Sequence, residues 1–168
     1  TADRIKKFIH QTAVLSSKSI NKMTGASIYF KCENFQKMGA FKMRGAANAV
    51  NQLTKEEKNK GVTTHSSGNF AQAVALSAQL SNIKANIVMP ENAPDVKKEA
   101  VKGYGANIVE CKSTLQARES TAQKIVEETG ATFLHPYNCY NVIAGNATAT
   151  MELHQQTEEL DLVFAPIG

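Results

Sequence analysis

The feature that most constrains the fold is an alternation of strand-like and helix-like segments along the middle of the chain. GVTTH (61–65), ANIVMP (85–90) and ANIVEC (106–111) are short apolar runs with β-branched residues. NFAQAVALSAQL (69–80) and PDVKKEAVKGYG (94–105) lie between them with helical periodicity, and the second starts at a proline and ends at glycines. Strands that alternate with single helices predict parallel βαβ units with helices covering the sheet. The sequence therefore predicts an α/β fold.

The same patterns extend this prediction to both sides of the central region. Further predicted strands are SIYFKCE (27–33), ATFLH (131–135) and DLVFAPIG (161–168). Further predicted helices are residues 42–53, 114–130 and 141–156.

Composition limits the class of protein. The 168 residues carry a net charge of +4, with 42% hydrophobic and 20% charged residues, which is a globular balance for one domain or two small lobes. The lysines are scattered and tryptophan is absent, so we do not expect nucleic-acid binding. No apolar run approaches 18 residues, so we expect no membrane span. Cys32, Cys111 and Cys139 lack CxxC spacing, which favours a cytoplasmic protein without a disulfide framework or zinc site.

Lys42 lies in MGAFKMRGA (38–46) and has two interpretations. The simpler one is a solvated helix lysine, whose amine has a pKa of about 10.4. The other is a nucleophile, because a lysine that is desolvated or joined to an aldehyde cofactor becomes reactive. Phe41 could then form a wall against a flat cofactor ring, although core packing is its simpler interpretation.

THSSGNF (64–70) lies where a predicted strand passes into a predicted helix. Ser66, Ser67, Gly68 and Asn69 offer small side chains, backbone N–H groups and the positive end of a helix dipole, which together suit a carboxylate or phosphate. Alternatively, Ser67 or Asn69 simply caps the helix. Both interpretations stay open on these residues alone.

Three further residues have structural interpretations as the simpler choice. His65 and His135 each end a predicted strand, and a histidine in that position is usually a hydrogen-bonding residue of the scaffold. Gly145 lies inside a predicted helix, where it marks either close backbone packing or a turn facing a site.

Taken in order, these motifs resemble the N-terminal half of the fold-type II pyridoxal-phosphate enzymes (tryptophan synthase β-like), and in particular the serine/threonine dehydratases (threonine ammonia-lyases) and serine racemases. The resemblance runs from about residue 4 to residue 168. It rests on FQKMGAFKMRGA (35–46), THSSGNFAQAVA (64–75), IVMPENAPDVKKEAVKGYGANIV (87–109), HPYNCYNVIAGNAT (135–148) and VFAPIG (163–168).

The resemblance implies pyridoxal 5′-phosphate as the cofactor. Lys42 matches the lysine that holds it covalently, and Phe41 matches the residue that lies against its ring. Asn69 matches the asparagine that hydrogen-bonds the 3′ oxygen of the cofactor.

The resemblance also implies a substrate loop. Ser66, Ser67, Gly68 and Asn69 match the loop that binds the substrate carboxylate. Ser67 also matches the serine that racemases use as an acid and base, opposite the lysine. Lys42 and Ser67 are therefore the candidate catalytic residues.

For function, the resemblance implies elimination of water from L-threonine or L-serine to give a 2-oxo acid and ammonia, with racemisation of serine as a second outcome. Neither the preferred substrate nor the ratio of the two outcomes follows from the sequence. Residues 61–137 would form a small mobile lobe that carries the carboxylate loop, and residues 1–60 and 138–168 would belong to a large cofactor-binding lobe. A homodimer is also implied.

The chain departs locally from the family pattern. Phe70 and Ala71 stand where the family usually has HG in SSGNHGQ, and Asn146 and Ala147 stand where it has QG in AGQGT. The early TPVL motif reads TAVL (12–15). A methyl group at Ala71 or Ala147 would be unfavourable if the backbone there needed a positive φ.

The last motif leaves two hypotheses open. In the family, PIG continues into a glycine-rich loop around the cofactor phosphate, whereas this sequence stops at Gly168. We therefore expect these residues alone not to bind the cofactor in the family manner. Either they are the N-terminal part of an enzyme completed by further residues or a complementing chain, or they form a non-catalytic paralogue that binds an amino acid or pairs with another subunit.

Overall fold

The computed structural model describes residues 1–166. Its helices are α1 (Ala2–Ile5), α2 (Lys18–Thr24), α3 (Lys42–Asn51), α4 (Lys55–Lys60), α5 (Asn69–Leu80), α6 (Asp95–Gly103), α7 (Leu115–Thr129), α8 (Tyr140–Asn146) and α9 (Thr148–Gln156). Its strands are β1 (Val14–Ser16), β2 (Tyr29–Lys31), β3 (Val62–His65), β4 (Ala85–Pro90), β5 (Asn107–Cys111) and β6 (Thr132–Phe133). No helix in this described part of the chain is long and apolar enough to cross a membrane.

The main sheet is parallel, which confirms the predicted α/β class. Its four strands lie in the order β5-β4-β3-β6, and β1 and β2 pair as a separate antiparallel hairpin. From β3 the chain moves outward through β4 to β5, and then returns to place β6 on the other side of β3. The carboxyl end of β3 is therefore a switch point in the strand order, and ligands of open α/β sheets bind at such points.

The core is continuous across the predicted lobe boundary. Helix α5 buries Phe70, Ala71 and Val74, and these side chains cluster with Val50 of α3 and Val142 of α8. The core therefore includes residues from both predicted lobes. The division of the chain into 61–137 and its flanks stays a prediction.

Helices α3 and α8 approach each other through two glycines. A Cβ on Gly145 would lie 2.4 Å from the backbone oxygen of Arg44, and a Cβ on Gly45 would lie 2.8 Å from the backbone oxygen of Val142. Neither position can accept a side chain without movement of the helices. Close packing is thus the reason for a glycine at position 145.

The predicted strand over 161–168 is wrong for the residues that can be judged. Residues 161–166 form no strand, and Leu162 and Phe164 are exposed, whereas Ile167 and Gly168 lie outside the described residues. An apolar run becomes a strand only when a neighbouring strand supplies hydrogen bonds, and the sequence pattern does not show whether one does.

One further prediction needs correction, and several short elements were missed. The helix expected over 141–156 is two helices, α8 and α9, that meet at Ala147. The short elements α1, α2, α4 and β1 were not predicted. For α4 a usable signal exists, because Thr54 and Glu57 form a capping box at its start.

Candidate active site

The candidate site is a cleft of about 570 Å³ at the carboxyl end of β3. It brings together Lys42 and Phe41 from the start of α3 with Ser66, Ser67 and Asn69 from the connection between β3 and α5. These groups are more than 20 residues apart in sequence and converge at the switch point of the sheet. Five of the six predicted site residues thus line one cleft, and the sixth, Gly68, lies in the same connection.

Lys42 is held in a partly apolar environment. Its side-chain nitrogen lies 4.8 Å from the centroid of the Phe41 ring. Burial lowers the pKa of Lys42 below its ordinary value, because loss of hydration destabilises the charged ammonium more than the neutral amine. Within residues 1–166 no carboxylate lies within 4.0 Å of this nitrogen to reverse that shift. Lys42 is thus not an ordinary solvated lysine.

The loop after β3 leaves the start of α5 open to an anion. Gly68 occupies the N-cap position of α5, so no side chain caps the helix, and neither Ser67 nor Asn69 has the capping role. The Gly68 N–H donates to Ser66 Oγ at 3.3 Å. The first backbone N–H groups of this 12-residue helix form its positive end, and carboxylates and phosphates bind at such helix N-termini.

Two basic residues of the cleft were missed from the sequence. Lys97 in the first turn of α6 and Arg118 in the first turn of α7 both line it. The amine of Lys97 is 3.6 Å from where a Cβ on Gly68 would stand, so it lies over the loop that follows β3. A cation near a helix N-terminus is unfavourable to the helix dipole. That placement was a sequence signal for a local anion.

His65 lines the cleft and belongs with His135 to one aromatic cluster. The ring of His65 is 5.5 Å from Phe133 and 6.0 Å from His135, measured between centroids. Burial, followed by the nearby charge of Arg118, lowers the pKa of His65. Nδ1 of His135 accepts the backbone N–H of Asn138 at 2.9 Å, which is a scaffold role.

The departures from the family pattern are compatible with the backbone. Ala71 is buried inside α5, and Ala147 has φ −60°, so neither methyl group meets a positive φ. Asn146 Oδ1 accepts the Gly45 N–H at 3.1 Å and so joins α8 to α3. Phe70 is 3% exposed and forms an apolar wall of the cleft.

A parallel α/β sheet that brings a partly desolvated lysine and an uncapped helix N-terminus into one cleft is typical of proteins that bind an anionic small molecule beside an amine. Residues 5–168 match the family described as pyridoxal-phosphate dependent enzyme. The chain belongs to this family, whose cofactor is pyridoxal phosphate.

Within this family, the chain is similar to serine racemases and to a dehydratase. The chain is 48% identical over 165 residues to a serine racemase of Dictyostelium discoideum, and 49% identical over 166 residues to a beta-hydroxyaspartate dehydratase of Paracoccus denitrificans (strain Pd 1222). These matches cover 98% and 99% of this chain, but 51% and 53% of the relatives. The chain thus spans about half the length of the curated relatives it matches.

Solved structures agree in fold. The crystal structure of the Dictyostelium discoideum serine racemase superposes with a TM-score of 0.91 at 49% identity, over 95% of this chain and 52% of that one. The crystal structure of a threonine deaminase from T.th. superposes with a TM-score of 0.85 at 40% identity, over 92% and 49% of the two chains. The neighbours are fold-type II pyridoxal-phosphate enzymes, as the sequence resemblance implies.

The residues present fit the cofactor of this family. An aldehyde requires a neutral amine, and burial of Lys42 favours that form. Phe41 offers a ring face next to this amine, and the volume of the cleft lies in the usual range for small-molecule sites.

Proposed function

We propose that this chain forms the N-terminal part of a pyridoxal-phosphate-dependent lyase that eliminates water from L-serine or L-threonine and, with hydrolysis of the product, yields a 2-oxo acid and ammonia, with racemisation of serine as a second outcome at the same site. The observation that supports it most is the partly desolvated amine of Lys42 in the same cleft as the open start of α5. The similarity to serine racemases and threonine deaminases points to the same chemistry.

Substrate binding falls to the loop after β3. The carboxylate of the amino acid would accept hydrogen bonds from the N–H groups at the start of α5 and from the hydroxyls of Ser66 and Ser67. Phe41 and Asn69 would hold the cofactor, Phe41 against its ring and Asn69 through its side-chain amide. When bound, the cofactor withdraws electrons from the α-carbon of the substrate.

Lys42 and Ser67 would transfer the protons. Neutral Lys42 takes the α-proton, and departure of the β-hydroxyl as water completes the elimination, after which hydrolysis gives the 2-oxo acid and ammonia. If Ser67 instead returns a proton to the opposite face, the product is the D-amino acid. A lowered pKa of Lys42 assists the first step, because only the neutral amine acts as a base.

Motion of the central region would close the site. We assign residues 61–137 to a small lobe that brings the carboxylate loop onto the substrate, and residues 1–60 and 138–168 to the large lobe. The four-stranded sheet lies wholly within the small lobe so defined.

The partners and location of the protein are also proposals. Tyr140 and Ile143 on α8 and Phe164 beyond α9 are exposed apolar side chains, 83%, 51% and 90% accessible respectively. We propose that these three side chains contact polypeptide that corresponds to the second half of the relatives. We also propose that the assembled enzyme is a homodimer. Three free cysteines are consistent with the cytoplasm.

Chemical trapping tests the function. The purified protein that carries this chain is incubated with pyridoxal phosphate, reduced with borohydride and mapped by mass spectrometry. We expect the label on Lys42, and we expect Lys42→Ala to lose both the label and turnover of serine and threonine, by about 10³-fold or more.

The control is Lys55→Ala, which removes an exposed lysine at the start of α4. It should keep the label at Lys42 and full turnover. Absence of any specific label in a folded protein would favour the alternative, a non-catalytic paralogue that pairs with another subunit.

A further inference from the structure

The first turn of α3, which begins at Lys42, is not closed by the usual hydrogen bonds of a helix. No side chain caps it at Phe41. The backbone oxygen of Phe41 accepts the Arg44 N–H at 3.0 Å, three residues further on and not four. The Gly45 N–H, which an α-helix would direct to that oxygen, donates to Oδ1 of Asn146 at 3.1 Å. A side chain 101 residues further along the chain thus completes the turn that carries Lys42.

The segment that enters α3 is a strained turn. Met38 has φ 55° and Gly39 has φ 78°, and the first of these is unfavourable for a residue with a side chain. The turn is tied down at Gln36, whose Nε2 donates to the backbone oxygen of His10 at 2.7 Å and whose Oε1 accepts the His10 N–H at 2.7 Å. A strained turn depends on the structure around it. Contacts to the first turn of α3 therefore matter for where Lys42 lies.

The two glycines at the contact of α3 with α8 allow Asn146 to reach this turn. A Cβ on Gly45 would lie 2.6 Å from Oδ1 of Asn146 and 2.9 Å from Cγ1 of Val142. A Cβ on Gly145 would lie 2.7 Å from Cα of Gly45. Asn146 is the last residue of α8, so its amide is presented at the start of α3. The hydrogen bond from Gly45 to Asn146 is therefore part of a close contact with little room for another geometry.

The residues that follow Lys42 are each held outside the cleft. Met43 is fully buried in an apolar cluster. Arg44 is held by its two carboxylate partners, and Gly45 is held by Asn146. Only the side chain of Lys42 extends from this turn into the cleft. The position of its amine therefore depends on how the turn behind it is held.

We propose that Asn146 is a positioning residue for the reaction at Lys42: it holds the Gly45 N–H, sets the start of α3, and so places the Lys42 amine beside the Phe41 ring. This rests on the proposed function, because it takes Lys42 as the reactive amine. Asn146 itself does not line the cleft. It acts through the backbone of α3 and not by contact with substrate or cofactor.

Removal of the amide tests the proposal without cofactor or turnover. In Asn146→Ala the Gly45 N–H loses its acceptor, so the first turn of α3 should open. Lys42 then gains hydration, and its pKa should rise toward the ordinary value, because burial is what lowers it. Competitive acetylation of the cofactor-free protein across pH, followed by mass spectrometry, measures this with Lys55 as the internal reference.

The matched control is Asn141→Ala at the other end of α8. Oδ1 of Asn141 accepts Nε2 of Gln52 at 2.9 Å, so this change also removes an asparagine bond between α8 and α3, but at the end of α3 away from Lys42. It should leave the pKa of Lys42 unchanged. Neither change alters a charge, and both variants keep the other titratable side chains of the cleft, which are His65, Lys97, Arg118 and Tyr137. A shift at Lys42 therefore reports its position.

Two further variants sharpen the comparison. Asn146→Gln keeps an amide acceptor and should keep the pKa of Lys42 close to that of the unaltered protein. Asn146→Ser places its oxygen one bond nearer the backbone, so it should raise the pKa as Asn146→Ala does, and it replaces that variant if the alanine form does not fold. An unchanged pKa in the folded alanine or serine variant would overturn the proposal. So would an equal rise in Asn141→Ala, or a rise in Asn146→Gln as large as in Asn146→Ala.

Cofactor trapping separates this proposal from the function beneath it. With limiting pyridoxal phosphate at pH 7, Asn146→Ala should give about fivefold less borohydride-fixed label on Lys42, the factor that one neutral hydrogen bond contributes. Asn141→Ala should give the label of the unaltered protein. If Lys42 is labelled equally in both variants and its pKa is unchanged, the positioning role is wrong and the lyase function stands. If Lys42 takes no label in the unaltered protein, the lyase function fails, and the acetylation measurement still decides whether Asn146 places the amine.

Discussion

Lys42 and Arg44 lie two residues apart at the start of α3, yet the protein surrounds their charges in opposite ways. Lys42 faces the cleft with an aromatic ring beside it and no carboxylate within 4.0 Å among residues 1–166. The Arg44 side chain is 0% exposed and pairs with Glu33 and Glu152, each at 2.8 Å. One cation is buried in part without compensation, whereas the other is buried fully with two counter-charges.

The pKa values move in opposite directions for this reason. Burial lowers the pKa of Lys42. Burial acts in the same direction on Arg44, but hydrogen bonds and charges from Glu152 and Glu33 outweigh it and raise the pKa. Hence the sign of the shift depends on the partners and not on burial alone. A cation without carboxylates is available for chemistry, whereas one with two is part of the scaffold.

The largest expected effect comes from Arg44→Met. This change leaves Glu33 without its cation and Glu152 with Lys31 alone. Removing one partner from a buried ion network costs about 3–5 kcal/mol. We expect a loss of that size in the free energy of unfolding, measured by urea titration.

The control separates an ion network from an ordinary surface pair. Lys60→Met breaks the exposed Glu56–Lys60 pair and should have little effect. Combining Arg44→Met with Glu33→Gln should recover part of the loss, because Glu33 is then neutral and Glu152 keeps its pair with Lys31. Equal losses of stability in Arg44→Met and Lys60→Met would show that the buried network around Arg44 contributes no more than an exposed ion pair.

The next effect concerns the backbone that carries both residues. In Gly145→Ala the new methyl would meet the backbone oxygen of Arg44 at 2.4 Å, so α8 must move away from α3. We expect a loss of at least about 1–3 kcal/mol, as for other overpacked positions. Gly103→Ala is the matched control, since nothing lies within 4 Å of its added Cβ. Equal unfolding midpoints for the two variants would contradict the close helix contact.

Acid should weaken the Arg44 network by a smaller amount. Burial raises the pKa of Glu152, but hydrogen bonds from Arg44 and Lys31 lower it by more than burial raises it. The pKa of Glu152 is therefore below its ordinary value of 4.5. A carboxylate with a depressed folded pKa stabilises the fold above its unfolded pKa and loses that contribution as the pH falls through the folded value. Unfolding free energies measured from pH 7 downward should therefore fall more steeply below pH 4.5 in the unaltered protein than in Glu152→Gln. Parallel curves would show that Glu152 contributes nothing to acid sensitivity.

The smallest effect tests the environment of Lys42 directly. Phe41→Leu removes the aromatic ring 4.8 Å from the ammonium, an interaction of about 0.5–1 kcal/mol at an accessible site. Loss of this attraction disfavours the charged form, so the pKa of Lys42 should fall further. Competitive acetylation across pH, followed by mass spectrometry, measures this for Lys42 with Lys55 as the internal reference. An unchanged midpoint for Lys42 would show that the ring does not stabilise its charge.

Local patterns were sufficient for the central elements. The predicted helix over 69–80 and strand over 85–90 agree with the structure at both ends. Both signals lie within the segment itself, as helical spacing of alanines and an apolar run ended by Pro90. The strand predicted over 161–168 differs, because a strand depends on a neighbour that its own residues do not specify.

The candidate site divides in the same way. Lys42 and residues 66–69 stood out because each lies in an unusual local sequence, and the family resemblance added their proposed roles. Lys97 and Arg118 were missed, because a basic residue near a helix start is only a weak signal and does not show that the two residues share a cleft. Only the strand order brings the first turns of α6 and α7 to the same edge as the end of β3.

The sequence by itself determined the α/β class, the family and the unusual local sequence around Lys42, because these depend on short-range pattern and motif. The tertiary structure decided which basic side chains share the cleft and which are neutralised. The charge of a side chain is known from the sequence, but whether a carboxylate neutralises it is not. The carboxylate of Glu152, which pairs with Arg44, comes from a distant part of the chain. Chain topology sets those distances, and the electrostatic difference between Lys42 and Arg44 follows from them.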